Sequence, residues 1–303
     1  MSQASPIFSV VIPLYNKGAY VGATLQSVLK QTLTKFEVVV VDDGSTDNGL
    51  EVVKSFTDNR IKIFHQQNEG VSSARNHGIR QSQAEYIAFL DADDLWQPLY
   101  LEEMLQFMQQ YPNCGLYIAA HKVADRNKVL EPDLGLETGI LPDYFKAELH
   151  NKITRLSSTV VPRAICQEVD CFPVGMVSGE DSYFCGKIAI SHKVAFLANP
   201  LVTYNRQYSG LSTRSFKGDT CQENWYDLYR PGKFYQNELV AVKALKAGIR
   251  MALSLNRAQS RVIEKKTSYT SLFKKKWRYL YFLNRVPAPF IFLYKKIKPL
   301  LGK

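Results

Sequence analysis

A two-part pattern repeated through the first 120 residues limits the fold more than any other feature. Short runs of β-branched and other apolar residues recur as "FSVVI" (8–12), "FEVVVV" (36–41), "IKIF" (61–64), "YIAFL" (86–90) and "CGLYIAA" (114–120). Segments of helical spacing separate them. Residues 18–31 place Val21, Leu25, Val28 and Leu29 on one face, and "STDNGLEVVKSF" opens on a Ser/Thr/Asp cap cluster. "GVSSARNHGIRQS" reads as a loop entering a helix, and "QPLYLEEMLQFMQQY" as a helix with Pro98 in its first turn. Near-continuous apolar strands alternating with helices imply an α/β fold: a Rossmann-like, mostly parallel central sheet covered on both faces. Residues 121–205 are more mixed and predict shorter strands and loops. Residues 236–260 have a helical pattern. From Ser271 bulky apolar and basic residues interleave, so the expected division is a body over 1–235 and a helical, basic extension over 236–303.

The chain of 303 residues, 46% of them hydrophobic, can bury a sizeable core. The N-terminal "MSQASPIFSVVIP" lacks the basic and long apolar regions of a signal peptide. No apolar run approaches the roughly 20 residues that span a bilayer. The five cysteines form no C-x-x-C pair, which suits reduced thiols in a cytosolic protein. The net charge of +10 is unevenly spread. Residues 243–303 hold 16 Lys/Arg against one acid, Glu264, leaving the body with 22 Lys/Arg and 27 acids. So basic a tail points to an anionic partner, phospholipid or nucleic acid.

The acidic residues fall where the apolar runs stop. "PLYN" (13–16) ends the first, "DDGSTD" (42–47) the second and "DADD" (91–94) the fourth. Ligands of open parallel sheets bind beyond the carboxyl ends of the strands, so topology brings these loops to one crevice. Asp42 and Asp43 can also be read as helix caps, and Asp94 as the cap of the helix near Gln97. Hard oxygen ligands without convergent His or Cys suit Mg²⁺ or Mn²⁺, and Mg²⁺ keeps one or two protein carboxylates and takes substrate phosphate for the rest. No G-x-x-x-x-G-K-[ST] and no G-x-G-x-x-G cradle is present, so a diphosphate would be held mainly through the metal.

"SVVIPLYNKGAYVGATLQSVLKQTLTKFEVVVVDDGSTDNG", "NEGVSSARNHGI", "YIAFLDADDLWQP" and "GEDSYFCGKIA", in this order over about residues 7–212, resemble a family 2 glycosyltransferase with the GT-A fold, of the bacterial surface-polysaccharide type. The resemblance implies that Pro13, Tyr15 and Asp43 surround the nucleotide base, with Tyr15 stacking and Asp43 accepting the uracil N3–H, and that Arg75 lies near the nucleotide. It implies Asp93 as the direct metal ligand and Asp91 on the ribose or the metal. It makes Asp181 the catalytic base of an inverting transfer, with Glu180 orienting the acceptor or supporting Asp181. Many relatives carry Y-R-x-H where this chain has "YNRQ", so Asn205 replaces Arg and Gln207 stands at the His position. The processive-synthase pattern Q-x-x-R-W is absent, which implies a single sugar transfer per encounter.

The expected enzyme is metal-dependent, with Mg²⁺ or Mn²⁺ as cofactor. It would move a hexosyl or N-acetylhexosaminyl group from a nucleotide-diphosphate sugar, UDP-linked by expectation, to a glycan acceptor. That acceptor is expected to be lipid-linked, in lipopolysaccharide, capsule or O-antigen assembly. The aromatic and aliphatic residues among the tail's Lys and Arg suit an anionic membrane surface, which places the enzyme peripherally on the inner face of the cell membrane. Two other classes compete: a signalling receiver domain, which leaves "GED" unexplained, and a nucleic-acid-binding protein using the tail, whose Phe, Leu and Ile content suits lipid better.

Overall fold

The computed structural model describes residues 5–126, 128–176, 178–206 and 224–297. Gln207 and Cys221 lie outside them. The chain divides into two compact units, Met1–Cys221 and Gln222–Lys303. The division falls ahead of the expected boundary at 235/236, because the segment before the first helix of the second unit is bonded to that helix: Asn237 Nδ2 donates to the Arg230 carbonyl at 2.7 Å.

The first unit is built on one sheet. Its strands are β1 (Phe8–Leu14), β2 (Phe36–Asp42), β3 (Ile61–His65), β4 (Tyr86–Phe89), β5 (Leu95–Trp96), β6 (Leu116–Asp125), β7 (Lys128–Leu130), β8 (Gly139–Ile140), β9 (Thr159–Pro162) and β10 (Val194–Asn205). The helices are α1 (Gly18–Leu29), α2 (Gly49–Lys54), α3 (Val71–Gln81), α4 (Tyr100–Gln110), α5 (Tyr144–Asn151), α6 (Arg163–Glu168) and α7 (Glu180–Ser191). The strand order is β3-β2-β1-β4-β9-β6-β10-β5. The four strands β3-β2-β1-β4 run parallel, with Leu14 opposite Asp42 and Val11 opposite Phe89. Phe8, Val10, Ile12, Val38 and Val40 are all but inaccessible. Each such side chain contributes about 1.5–3 kcal/mol by leaving water, which makes β1 and β2 the centre of the core.

Beyond β4 the sheet is mixed. β9 enters antiparallel between β4 and β6, while β10 pairs parallel with β6. The expectation of only short strands and loops over 121–205 is therefore corrected: β6 and β10 are long, and α5, α6 and α7 lie between them. The antiparallel entry of β9 matters for position, since its N-terminal end, and the residues just before it, arrive where β4 finishes.

The second unit contains α8 (Phe234–Leu253), α9 (Arg257–Lys266), α10 (Lys274–Leu283) and α11 (Ala288–Ile297). The helical character expected over 236–260 is carried by α8 and α9, which part at Leu255 in a left-handed conformation (φ 65°). Pro287 precedes α11 and keeps it apart from α10. Among the described residues no helix is long and apolar enough to cross a membrane.

Candidate active site

The loops after β1 and β2 are stitched together before any acidic group is considered. Asn16 Oδ1 accepts from the Thr46 N–H at 2.8 Å, and the Gly18 N–H donates to Asp47 Oδ2 at 2.7 Å. α1 thus starts against the β2 loop, and a Cβ on Gly18 would stand 2.1 Å from Asn48 Oδ1. Pro13 pairs with Val41 inside the sheet, and Tyr15 beyond it is 44% exposed, an open ring beside the crevice.

Asp42 and Asp43 do not cap α2. Buried Asp42 accepts from the Ser45 N–H at 3.1 Å and lies 2.8 Å from His65 Nδ1. Buried Asp43 accepts Gln66 Nε2 (2.8 Å) and the Glu69 N–H (2.9 Å) on Oδ1, and the Gly70 N–H (2.9 Å) on Oδ2. Gly70 carries φ 92°, which a side chain would strain, and this conformation turns its N–H onto the carboxylate. With one donor on Oδ2, Asp43 keeps capacity for another at the crevice.

The DADD loop sorts its carboxylates by burial. Asp94 is almost fully buried; it accepts the Ser157 hydroxyl at 2.5 Å and the Asn205 N–H at 2.9 Å. It does not cap α4, which begins at Tyr100. Burial first, then Asp91 and Asp93, push its carboxyl well above the usual range. Asp93, 8% exposed, is likewise pushed up by burial and by Asp91, against the opposing charge of Lys17, whose Nζ sits 2.5 Å from its Oδ2. Asp91 is a third exposed, and its Oδ1 accepts Arg75 Nη2 at 2.7 Å.

Arg75 joins the DADD loop to the GED motif. It lies on α3 with 3% of its side chain exposed, and its second amino group donates to Glu180 Oε1 at 3.2 Å. Burial works against the charge, but Asp91 and Glu180 outweigh it and hold the guanidinium above the ordinary arginine range. α3 comes close to β1 because residue 78 is glycine: a Cβ there would lie 2.4 Å from Val11 Cγ1. Glu180 and Asp181 form the first turn of α7, where the helix dipole favours acids. Glu180 is buried, whereas Asp181 is half-buried and accepts its neighbour Ser182's N–H at 2.6 Å.

Three contributors were not anticipated from the sequence. Lys17 follows "PLYN" and had no motif to mark it. Ser157 precedes β9 and takes the Asp91 N–H at 3.0 Å as well as binding Asp94. Asn205, where the resemblance led one to expect Arg, donates Nδ2 to the Asp93 carbonyl at 2.5 Å. Its departure from the family pattern was the one available signal. Gln207 lies outside the described residues.

Among the described residues no three His, Cys, Asp or Glu side chains form a metal cage. Asp93 and Asp91 are hard carboxylates on one loop, of the kind and number that a Mg²⁺-type ion takes when phosphate fills the rest of its shell, so their chemistry fits such an ion, while Lys17 and Arg75 hold one oxygen of each here.

Residues 9–159 match the family model described as glycosyl transferase family 2. The chain belongs to this family. The match ends before Glu180 and Asp181. An uncharacterised glycosyltransferase of Rickettsia bellii is 37% identical over 191 residues, which cover 61% of this chain and 26% of that protein. The chain thus spans about a quarter of that relative's length. The fold is also that of Staphylococcus aureus TarS 1–349 solved with UDP-GlcNAc (TM-score 0.61, 23% identity, 90% of this chain and 79% of that one). A mannosyltransferase of Pyrobaculum calidifontis, solved with GDP-Man and Mn²⁺, is similar at TM-score 0.52 and 18% identity over 82% of this chain and 65% of that one. The GT-A architecture expected from the sequence is therefore the architecture of this chain.

Proposed function

We propose that the protein is an inverting glycosyltransferase that transfers one sugar from a nucleotide-diphosphate sugar, with UDP as the nucleotide, to a hydroxyl of a lipid-linked glycan. The observation that carries this reading is the Asp91–Arg75–Glu180 chain, buried at Arg75 and Glu180 and open to solvent at Asp91. It ties the loop expected to receive the diphosphate to the helix start that bears the expected base. The similar structures, solved with UDP-GlcNAc in one case and with GDP-Man and Mn²⁺ in the other, support a nucleotide-sugar donor and a divalent ion without choosing the base.

In this reading Tyr15 stacks on the base and Asp43, fixed by the 66–70 loop, accepts its N–H. Asp93 and Asp91 hold Mg²⁺ or Mn²⁺. When bound, the ion supplies Lewis-acid stabilisation to the departing diphosphate. Asp181, on the face opposite the leaving group, takes the acceptor hydroxyl's proton as that oxygen attacks the anomeric carbon, which inverts the centre. Glu180 is locked by Arg75 and so sets the position of the α7 N-terminus and of Asp181 with it.

The second unit supports a membrane-surface acceptor. Lys274, Lys275, Lys276 and Arg278 are exposed on α10 beside Phe282 (61% exposed) and Tyr281 (43%), while Phe290 (61%) and Phe292 (55%) are exposed on α11. Aromatic groups at the acyl boundary with Lys/Arg at the headgroups describe an interfacial helix pair. Peripheral attachment would raise the effective concentration of a lipid-linked acceptor for surface polysaccharide.

The test is a donor screen with Mn²⁺, read by thermal shift and by sugar transfer. Asp93→Ala should abolish metal-dependent UDP stabilisation. Asp181→Asn should lower transfer by roughly 10²–10⁴-fold, the range of general-base catalysis, at similar donor affinity. A product that keeps the donor's anomeric configuration rules out the inverting route.

A further inference from the structure

Lys17 occupies an informative position. Its backbone is held at the start of α1: its carbonyl accepts the Tyr20 and Val21 N–H groups at 2.9 Å, and both flanking residues are tied to the β2 loop. From this fixed base the side chain reaches across 76 positions of sequence to the DADD loop, where Nζ lies 2.5 Å from Asp93 Oδ2. The pair is secluded, with 21% of the lysine side chain and 9% of the aspartate's exposed. An ammonium so close to a carboxylate oxygen takes the place that a coordinated cation would need on that oxygen. Two cations sharing one oxygen repel strongly in a partly desolvated crevice. By contrast, among the described residues the ion pairs of Arg75 go to Asp91 Oδ1 and Glu180 Oε1 rather than to Asp93.

From this geometry we infer that Lys17 is an exchangeable counter-ion. It neutralises Asp93 in the metal-free chain, yields Asp93 when the divalent ion enters, and transfers its charge to the diphosphate that arrives with the ion. The inference rests on the nucleotide-sugar reading above and adds a diphosphate-binding residue to it. It has a thermodynamic signature. Metal alone must compete with Lys17, whereas metal with nucleotide gives Lys17 a new partner, so the two ligands favour each other's binding beyond their direct contact.

The experiment compares wild type with Lys17→Met and Lys17→Gln by calorimetric titration with Mn²⁺ alone, and with UDP at saturating Mn²⁺. Circular dichroism and melting curves establish that each variant is folded, and the two neutral variants guard against loss of one. Removing the competitor should tighten Mn²⁺ alone by about tenfold or more, while UDP weakens by about ten- to hundredfold, the range of one charged hydrogen bond. Lys17→Arg keeps the charge and should bind Mn²⁺ alone as wild type does. The opposite signs matter, because general damage to the site weakens both ligands. Unchanged or weaker binding of Mn²⁺ alone means that ion and lysine use different oxygens of Asp93, and overturns the exchange. Unchanged UDP affinity overturns the transfer to diphosphate. If wild type binds no UDP with Mn²⁺, the nucleotide-sugar reading itself fails, a result distinct from either.

Discussion

Replacing Arg75 by methionine removes the link between the two halves of the site at nearly constant volume. The guanidinium is 3% exposed and compensates Glu180, whose side chain is 6% exposed. Removing one member of a buried pair costs about 3–5 kcal/mol, because the other charge remains without its partner. Asp91 is 35% exposed and keeps water, so its share falls in the range of about 0–1 kcal/mol of a solvated pair. The apolar stem of Met should keep the contact with the Phe172 ring, which lies 5.3 Å from the guanidinium carbon. The net expectation is a loss of about 3 kcal/mol at pH 7, carried chiefly by Glu180. Urea unfolding would measure it in a Trp225→Phe/Trp277→Phe background, leaving Trp96 of the first unit as the reporter. The Arg75→Met/Glu180→Gln double variant should recover much of the loss, since it removes both buried charges. A single variant within about 0.5 kcal/mol of wild type, the scatter of ordinary surface substitutions, would refute the idea that Arg75 neutralises a buried carboxylate.

Buried His121 is held down to about 4 by burial and by the charge of Arg155. Its folded pKa lies below its unfolded value, so stability is present above about pH 6.5 and lost as pH falls toward 4, by on the order of 3 kcal/mol; His121→Leu should flatten that part of a pH series of urea midpoints. Asp94 is shifted the other way by burial, so its native state holds the proton more tightly and its contribution declines as pH rises from about 4. In metal-free buffer, Asp94→Asn should therefore gain on wild type between pH 4 and 7, and a constant difference would show that burial does not govern this group. Gly78→Ala, which gains up to about 1 kcal/mol in an open helix, should instead destabilise by about 1–3 kcal/mol here, because its methyl would meet Val11 on β1. Reversing Lys274, Lys275 and Lys276 to Glu should release the chain from anionic vesicles in a sedimentation assay, each basic residue being worth about 1 kcal/mol at such a surface; equal binding by the variant defeats the membrane reading.

The parallel half of the sheet was legible in the sequence because its information is local. Strand β2, "FEVVVVD", is buried throughout, so an apolar run ending in an acid already announces a strand between two helical layers with its carboxyl end at a polar edge. The gathering of Pro13, Tyr15, Asp43 and Asp91 at that edge follows from parallel topology alone. The sequence also divided the charge, with a mildly acidic body and a basic tail. The mixed half was decided only in three dimensions. β9 enters antiparallel beside β4, and that places Ser157 against Asp91 and Asp94 from 66 and 63 residues away. Which aspartate is buried and which reaches solvent was likewise unreadable in "DADD". Four adjacent letters carry no burial, and it is the folded surroundings, Asn205 on Asp94, Lys17 on Asp93 and Arg75 on Asp91, that set the three carboxylates apart. Hydrophobic period sets which residues leave water along a segment, but the partner of a buried charge comes from another segment, and that pairing exists only once the chain has folded.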